Sequence, residues 1–146
     1  MLAAVAAGGV IGALCRYEVS QAWPHAPGAF PWSTLAINLS GCLLIGMLMV
    51  IILELVDAHR LTRPFLGVGV LGGYTTFSTA SVELDRLLAA GRPAAALGYL
   101  TASLVGSVIA VWAGTVLARA CERVLVRSRS GPELDGPMAP EADTAP

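Results

Sequence analysis

The chain has 146 residues, 55% hydrophobic and 13% charged, with a formal net charge of −1 and a mean hydropathy of +0.71. All nine basic residues are arginine, scattered rather than run together, so nothing points to a nucleic-acid partner. So much apolar sequence exceeds what a soluble domain this short can bury, and its four apolar blocks indicate an all-α membrane protein with about four spans. Cys15, Cys42 and Cys121 sit singly in or beside these blocks. They read as small buried hydrophobes, not as a disulfide or metal framework.

The first span covers about residues 2–20. It lacks a positively charged leader, so it reads as a membrane helix and not a cleaved signal. Gly8 and Gly12 form a small-xxx-small pair that lets another helix come close. Arg16 and Glu18 lie near its far end. Arg16 fits either an interfacial side chain reaching headgroups or a vestibule cation that gathers anions. Residues 21–32, with three prolines and Gly28, form a loop whose Trp23, Phe30 and Trp32 suit the interface. His25 reads as a lone exposed histidine.

The second span covers residues 34–55. Asn38, one turn inside it, is its one strongly polar side chain, and such groups in a span are functional candidates or interhelical glue. Glu54 and Asp57 mark its exit. Pro64 opens the third block, residues 64–90. There Gly67, Gly69, Gly72 and Gly73 precede Thr75, Thr76, Ser78 and Thr79, residues that disfavour a helix interior. A break over residues 72–79 falls near the bilayer midplane, about 15 Å from Pro64. Irregular backbone is tolerated there only in protein or beside a polar cavity, which suggests an ion site. Glu83 and Asp85, two apart, sit on different helix faces and read as vestibule or interface charges.

The fourth span covers residues 94–119. Tyr99, Ser103 and Ser107 recur every four residues and stack as a polar track on one face, while Thr101 falls off it. Residues 123–146 begin basic, turn rich in Pro, Gly and acid, and read as a disordered tail.

Three blocks carry a family resemblance. Gly72-Gly-Tyr-Thr-Thr-Phe-Ser-Thr79, Thr34-Leu-Ala-Ile-Asn38-Leu-Ser-Gly41 and Gly9-Val-Ile-Gly12-Ala-Leu-Cys-Arg16-Tyr17 resemble the signature blocks of the CrcB/Fluc fluoride-channel family. The likeness runs from about residue 8 to residue 118. It implies a cell-membrane channel made of an antiparallel dimer, with two fluoride pores and a structural sodium ion at the dimer centre. On the matching positions, Gly72 and Thr75 would supply sodium carbonyls. Asn38 would donate to fluoride, Phe77 would offer a ring edge, and Tyr99, Ser103 and Ser107 would form the track. Thr34 and Ser78 would be nearby hydroxyls, with Arg16 and Glu83 at family positions of open role. Neutral donors suit a small, strongly hydrated anion, because a fixed positive charge would trap it. No nucleophile or nucleotide loop is apparent, so transport would be passive and the protein not an enzyme.

One departure stands out. The family block usually continues with a second phenylalanine, and this chain has Ala80 there. With the N-terminus inside, Arg60, Arg63, Arg119 and Arg123 lie inside with Arg127 and Arg129, against Arg86 and Arg92 outside with Arg16 near that face. This mild bias toward one orientation, together with Ala80, favours pairing with an oppositely inserted paralogue over a homodimer. A non-conducting partner subunit is a further alternative. A small four-helix cation exporter fits less well, because it wants a carboxylate buried in the first helix and Glu18 lies at its end.

Overall fold

The computed structural model describes residues 1–52 and 60–129. Glu54 and Asp57, expected at the end of the second span, lie outside the described residues. Helix α1 covers Leu2–Ala22 and stops where Pro24 removes a donor and biases Trp23 away from helical angles. A loop follows, turning at Gly28 with φ +75°. Helix α2, Trp32–Val50, starts directly after Pro31. A π-helical segment, Arg63–Leu71, then runs into one α-turn, α3, Gly72–Tyr74. After two extended residues, α4 covers Phe77–Ala89 and α5 covers Pro93–Arg129.

Every described element is helical. Among them α1, α2 and α5 are long and apolar enough to cross a membrane. The third apolar block does not qualify as one helix, because its pieces are separated at Thr75–Thr76. The break is narrower than the expected 72–79. Thr75 (ψ 157°) and Thr76 (φ −148°, ψ 122°) are extended, while Gly72–Tyr74 and Phe77–Thr79 remain helical. Helix α5 also continues through Arg129, into the stretch read as tail. Nothing in residues 120–129 is Gly or Pro, so no residue there stops it; residues 130–146 lie outside the described ones.

The glycines of the third block serve packing. The π segment and α3 lie against α1, where Gly8 meets Gly69, Gly12 meets Val70 and Tyr74, and Gly73 meets Gly9. A Cβ at Gly69 would sit 2.8 Å from the Val5 carbonyl, and one at Gly12 or Gly73 would strike backbone of the facing segment. The two backbones thus touch directly. The other main contact joins α2 to α5, where Gly46 abuts Val111 backbone and Gly114 abuts Leu43 backbone. Close backbone approach through small residues replaces the hydrophobic drive that lipid cannot supply.

The interior is small: Leu35, Leu87, Ala96 and Tyr99 form it, with Phe30 edge-on to Tyr99 at 5.7 Å between ring centroids. Only 6% of the α5 span is buried within the chain, and Leu104, Val108 and Trp112 stand exposed. Apolar surface of that extent belongs in lipid or against another protein.

Candidate functional site

Thr75 and Thr76 leave backbone groups without helical partners, and three side chains meet them. Asn38 on α2 pairs with Thr76 in both directions: its Nδ2 donates to the Thr76 carbonyl and its Oδ1 accepts from the Thr76 amide, each at 2.9 Å. The carboxamide thus mimics a peptide group from a neighbouring strand. One N–H of Asn38 is left over. Thr76 also caps α4, its hydroxyl accepting from the Thr79 amide at 3.2 Å and bonding the Thr79 hydroxyl at 3.0 Å. Arg16 on α1 donates to the Thr75 carbonyl at 3.1 Å.

Arg16 therefore does not stand at a vestibule mouth or reach for headgroups; it reaches inward to the break. Its length allows this because Gly12, one turn earlier, brings α1 against Val70 and Tyr74.

Beside the break lies a groove of about 480 Å³ between α2, α4 and α5. Asn38, Thr75, Phe77, Tyr99, Ser103 and Ser107 all line it. Tyr99 is 2% exposed, and Tyr99 Oη and Ser103 Oγ are buried without a hydrogen-bond partner. They stand one turn apart, close enough to interact but outside bonding geometry. Phe77, by contrast, is 86% exposed on the chain's surface.

Two residues expected with this set fall elsewhere. Thr34 is buried in a separate cavity near the 23–31 loop. Ser78 is exposed, with its hydroxyl 3.4 Å from that of Thr76. Thr101 lines a different, apolar groove. Thr76, Cys42 and Ser81 line the main groove without having been singled out for it. Cys42 follows Asn38 by one helical turn, a spacing that could have flagged it.

Glu83 and His25 also differ from expectation. Glu83 is 4% exposed, with Arg86 bonded to one oxygen at 2.8 Å and His25 3.3 Å from the other. His25 is neither lone nor exposed. Asp85, on the opposite face of α4, is exposed.

A family model described as CrcB-like protein, Camphor Resistance, matches residues 3–115. The chain belongs to the CrcB family. It is 49% identical over 123 residues to fluoride-specific ion channel FluC 2 of Nocardia farcinica, covering 84% of this chain and 85% of that one. Streptomyces avermitilis has two similar proteins. Its fluoride-specific ion channel FluC 2 is 51% identical over 104 residues (71% of this chain, 66% of the relative). Its FluC 3 is 41% identical over 133 residues (90% and 65%). Membership and three span-length helices make this CrcB chain a membrane protein.

Proposed function

We propose that this CrcB chain is a subunit of a passive, fluoride-selective channel that releases fluoride from the cytoplasm and so relieves its toxicity. The observation that carries the reading is the pair of buried hydroxyls, Tyr99 Oη and Ser103 Oγ, left unpartnered on a groove that Asn38 and Phe77 share. A buried polar group without a partner costs about 1–3 kcal/mol, and a passing anion offsets that cost when it accepts from them. Ser107 continues the ladder, the spare Asn38 N–H adds a donor, and the Phe77 ring edge carries partial positive charge. These groups replace fluoride's water without a fixed charge that would hold it.

The chain spans the cell membrane four times, with the pieces on either side of Thr75–Thr76 sharing the third span. A second chain in the opposite orientation covers Phe77 and the face of Gly72. That face is open: a Cβ on Gly72 would meet only the Gly67 carbonyl, at 4.0 Å. The Gly72 and Thr75 carbonyls would hold a structural sodium ion. The donor set fits: they are hard oxygens at the negative end of a helix, and Thr75, although bonded to Arg16, keeps a second lone pair. When bound, the ion supplies positive charge that stabilises the interrupted backbone.

The second reading is an obligate heterodimer, favoured by Ala80. This residue lines the groove where the family's second ring is expected, and an oppositely inserted paralogue would supply it. The two S. avermitilis relatives are consistent with paired genes. Fluoride efflux from liposomes holding this chain alone, with chloride as control, tests both readings. Fast fluoride-selective efflux that Asn38→Ala abolishes supports the homodimer. Efflux appearing only after co-reconstitution with a phenylalanine-bearing paralogue supports the heterodimer. No fluoride flux in either case overturns the channel assignment.

A further inference from the structure

A second polar cluster lies beside the hydroxyl track and is not used by it. His25, in the loop between α1 and α2, has Nε2 3.3 Å from Glu83 Oε2 and Nδ1 3.2 Å from Ser33 Oγ. Glu83 Oε1 receives Arg86 at 2.8 Å. Glu83 Oε2 is buried and, among the described residues, has no donor in hydrogen-bond geometry, so the imidazole is the group nearest to serving it. With Ser20, Thr34 and Thr79 these side chains line a cavity of about 240 Å³.

Its lining residues neighbour those of the main groove along two helices. Thr34 precedes Asn38 by one turn on α2, and on α4 Thr79 and Glu83 alternate with Ala80 and Leu84 of the groove wall. From α5, Tyr99 at the head of the ladder lies within electrostatic range of Glu83. The cluster therefore lies beside the Tyr99 end of the ladder, on the side of the 23–31 loop.

We propose that this cluster forms an entry to the hydroxyl track and that His25 is a positioning residue for anion entry there, which when protonated completes the neutralisation of Glu83 and gives this mouth a net positive charge. The proposal rests on the channel reading above. Glu83 and Arg86 cancel, so with neutral His25 these three side chains carry no net charge and present one buried carboxylate oxygen uncompensated. Protonation makes both ring nitrogens donors, one for Ser33 and one for Glu83, and leaves one positive charge over. Glu83 is shielded from solvent, so mobile ions screen it weakly, and the added charge raises the local anion concentration. The other charged groups nearby are accounted for. Arg92 at the start of α5 donates to the Gly28 carbonyl at 3.0 Å and keeps its charge throughout the pH range, a constant background, and Asp85 is on the far face of α4. Arg16 is bonded at the break, while α1 and α2 contribute only the uncharged Ser20, Ser33 and Thr34 to the cavity.

The sign follows directly. Histidine changes charge between about pH 5 and 8, so fluoride efflux is fast at the acid end and falls as pH rises. The experiment is fluoride efflux from liposomes of the whole protein, with the reconstituted partner if one is needed. The pH is equal on both faces, runs from about 5.5 to about 8, and leak from protein-free vesicles is subtracted. Efflux should fall about threefold over this range. His25→Gln should be slow and flat with pH, and His25→Lys fast and flat, whereas a merely structural role would impair both variants alike. A flat wild-type profile, an unchanged profile in His25→Gln, or a slow His25→Lys overturns the proposal while leaving the channel reading intact. Absence of fluoride efflux at every pH brings down the channel reading, and this proposal with it.

Discussion

The two sides of the broken third block use small residues in opposite ways. On the α1 side, Gly8 presses against Gly69, Gly12 against Val70 and Tyr74, and Gly73 against Gly9 until backbones touch, and no room remains for a methyl group at Gly8, Gly12, Gly69 or Gly73. On the α2–α5 side, Thr76, Ser103 and Ser107 stand along an open groove, and the Ser103 hydroxyl is unsatisfied. Small size in the first region maximises contact; in the second it leaves space with hydroxyls around it. The contrast shows that one segment can be anchored rigidly on one face and kept receptive on the other.

Breaking the anchored side should have the largest effect. Gly12→Leu drives a side chain into the Val70 carbonyl, and overpacking of this kind costs about 1–3 kcal/mol or more. Size-exclusion chromatography in detergent should show little monodisperse protein. Asn38→Ala should come next. It strands the Thr76 amide and carbonyl, at about 1–3 kcal/mol for a buried group left unpaired, which should appear as a lower thermal midpoint together with loss of fluoride efflux. Thr76→Ala removes the cap of α4 together with the hydroxyl's bond to Thr79 and should lower stability by about 1 kcal/mol, measured in the same thermal scan. Ser103→Ala separates function from stability. Because its hydroxyl has no partner to lose, the thermal midpoint should hold or rise while efflux drops. The smallest effect should come from Thr101→Ala, which faces another groove and should leave both readouts near wild type.

The sequence made the serine ladder and the existence of a break readable, because spacing of four and a cluster of helix-disfavouring residues are local signals. The width of the break was not readable. A glycine that ends a helix and a glycine that admits a neighbouring backbone look identical until the neighbour is known, and the neighbour is α1, some sixty positions away. The same distance hid Arg16 on Thr75 and His25 on Glu83. Each of these links is set by how helices lie against one another, which no short-range pattern records. Thr34 is a nearby hydroxyl only by its family position; in the structure it lies in a different cavity, one helical turn from Asn38.

The reciprocal pairing of Asn38 with Thr76 also limits how this position can change over time. It requires one donor and one acceptor side by side at a fixed reach from α2. Aspartate lacks the donor, glutamine is one methylene too long, and histidine carries its two nitrogens at separate ring positions. Losing this asparagine therefore leaves no similar residue that restores both bonds.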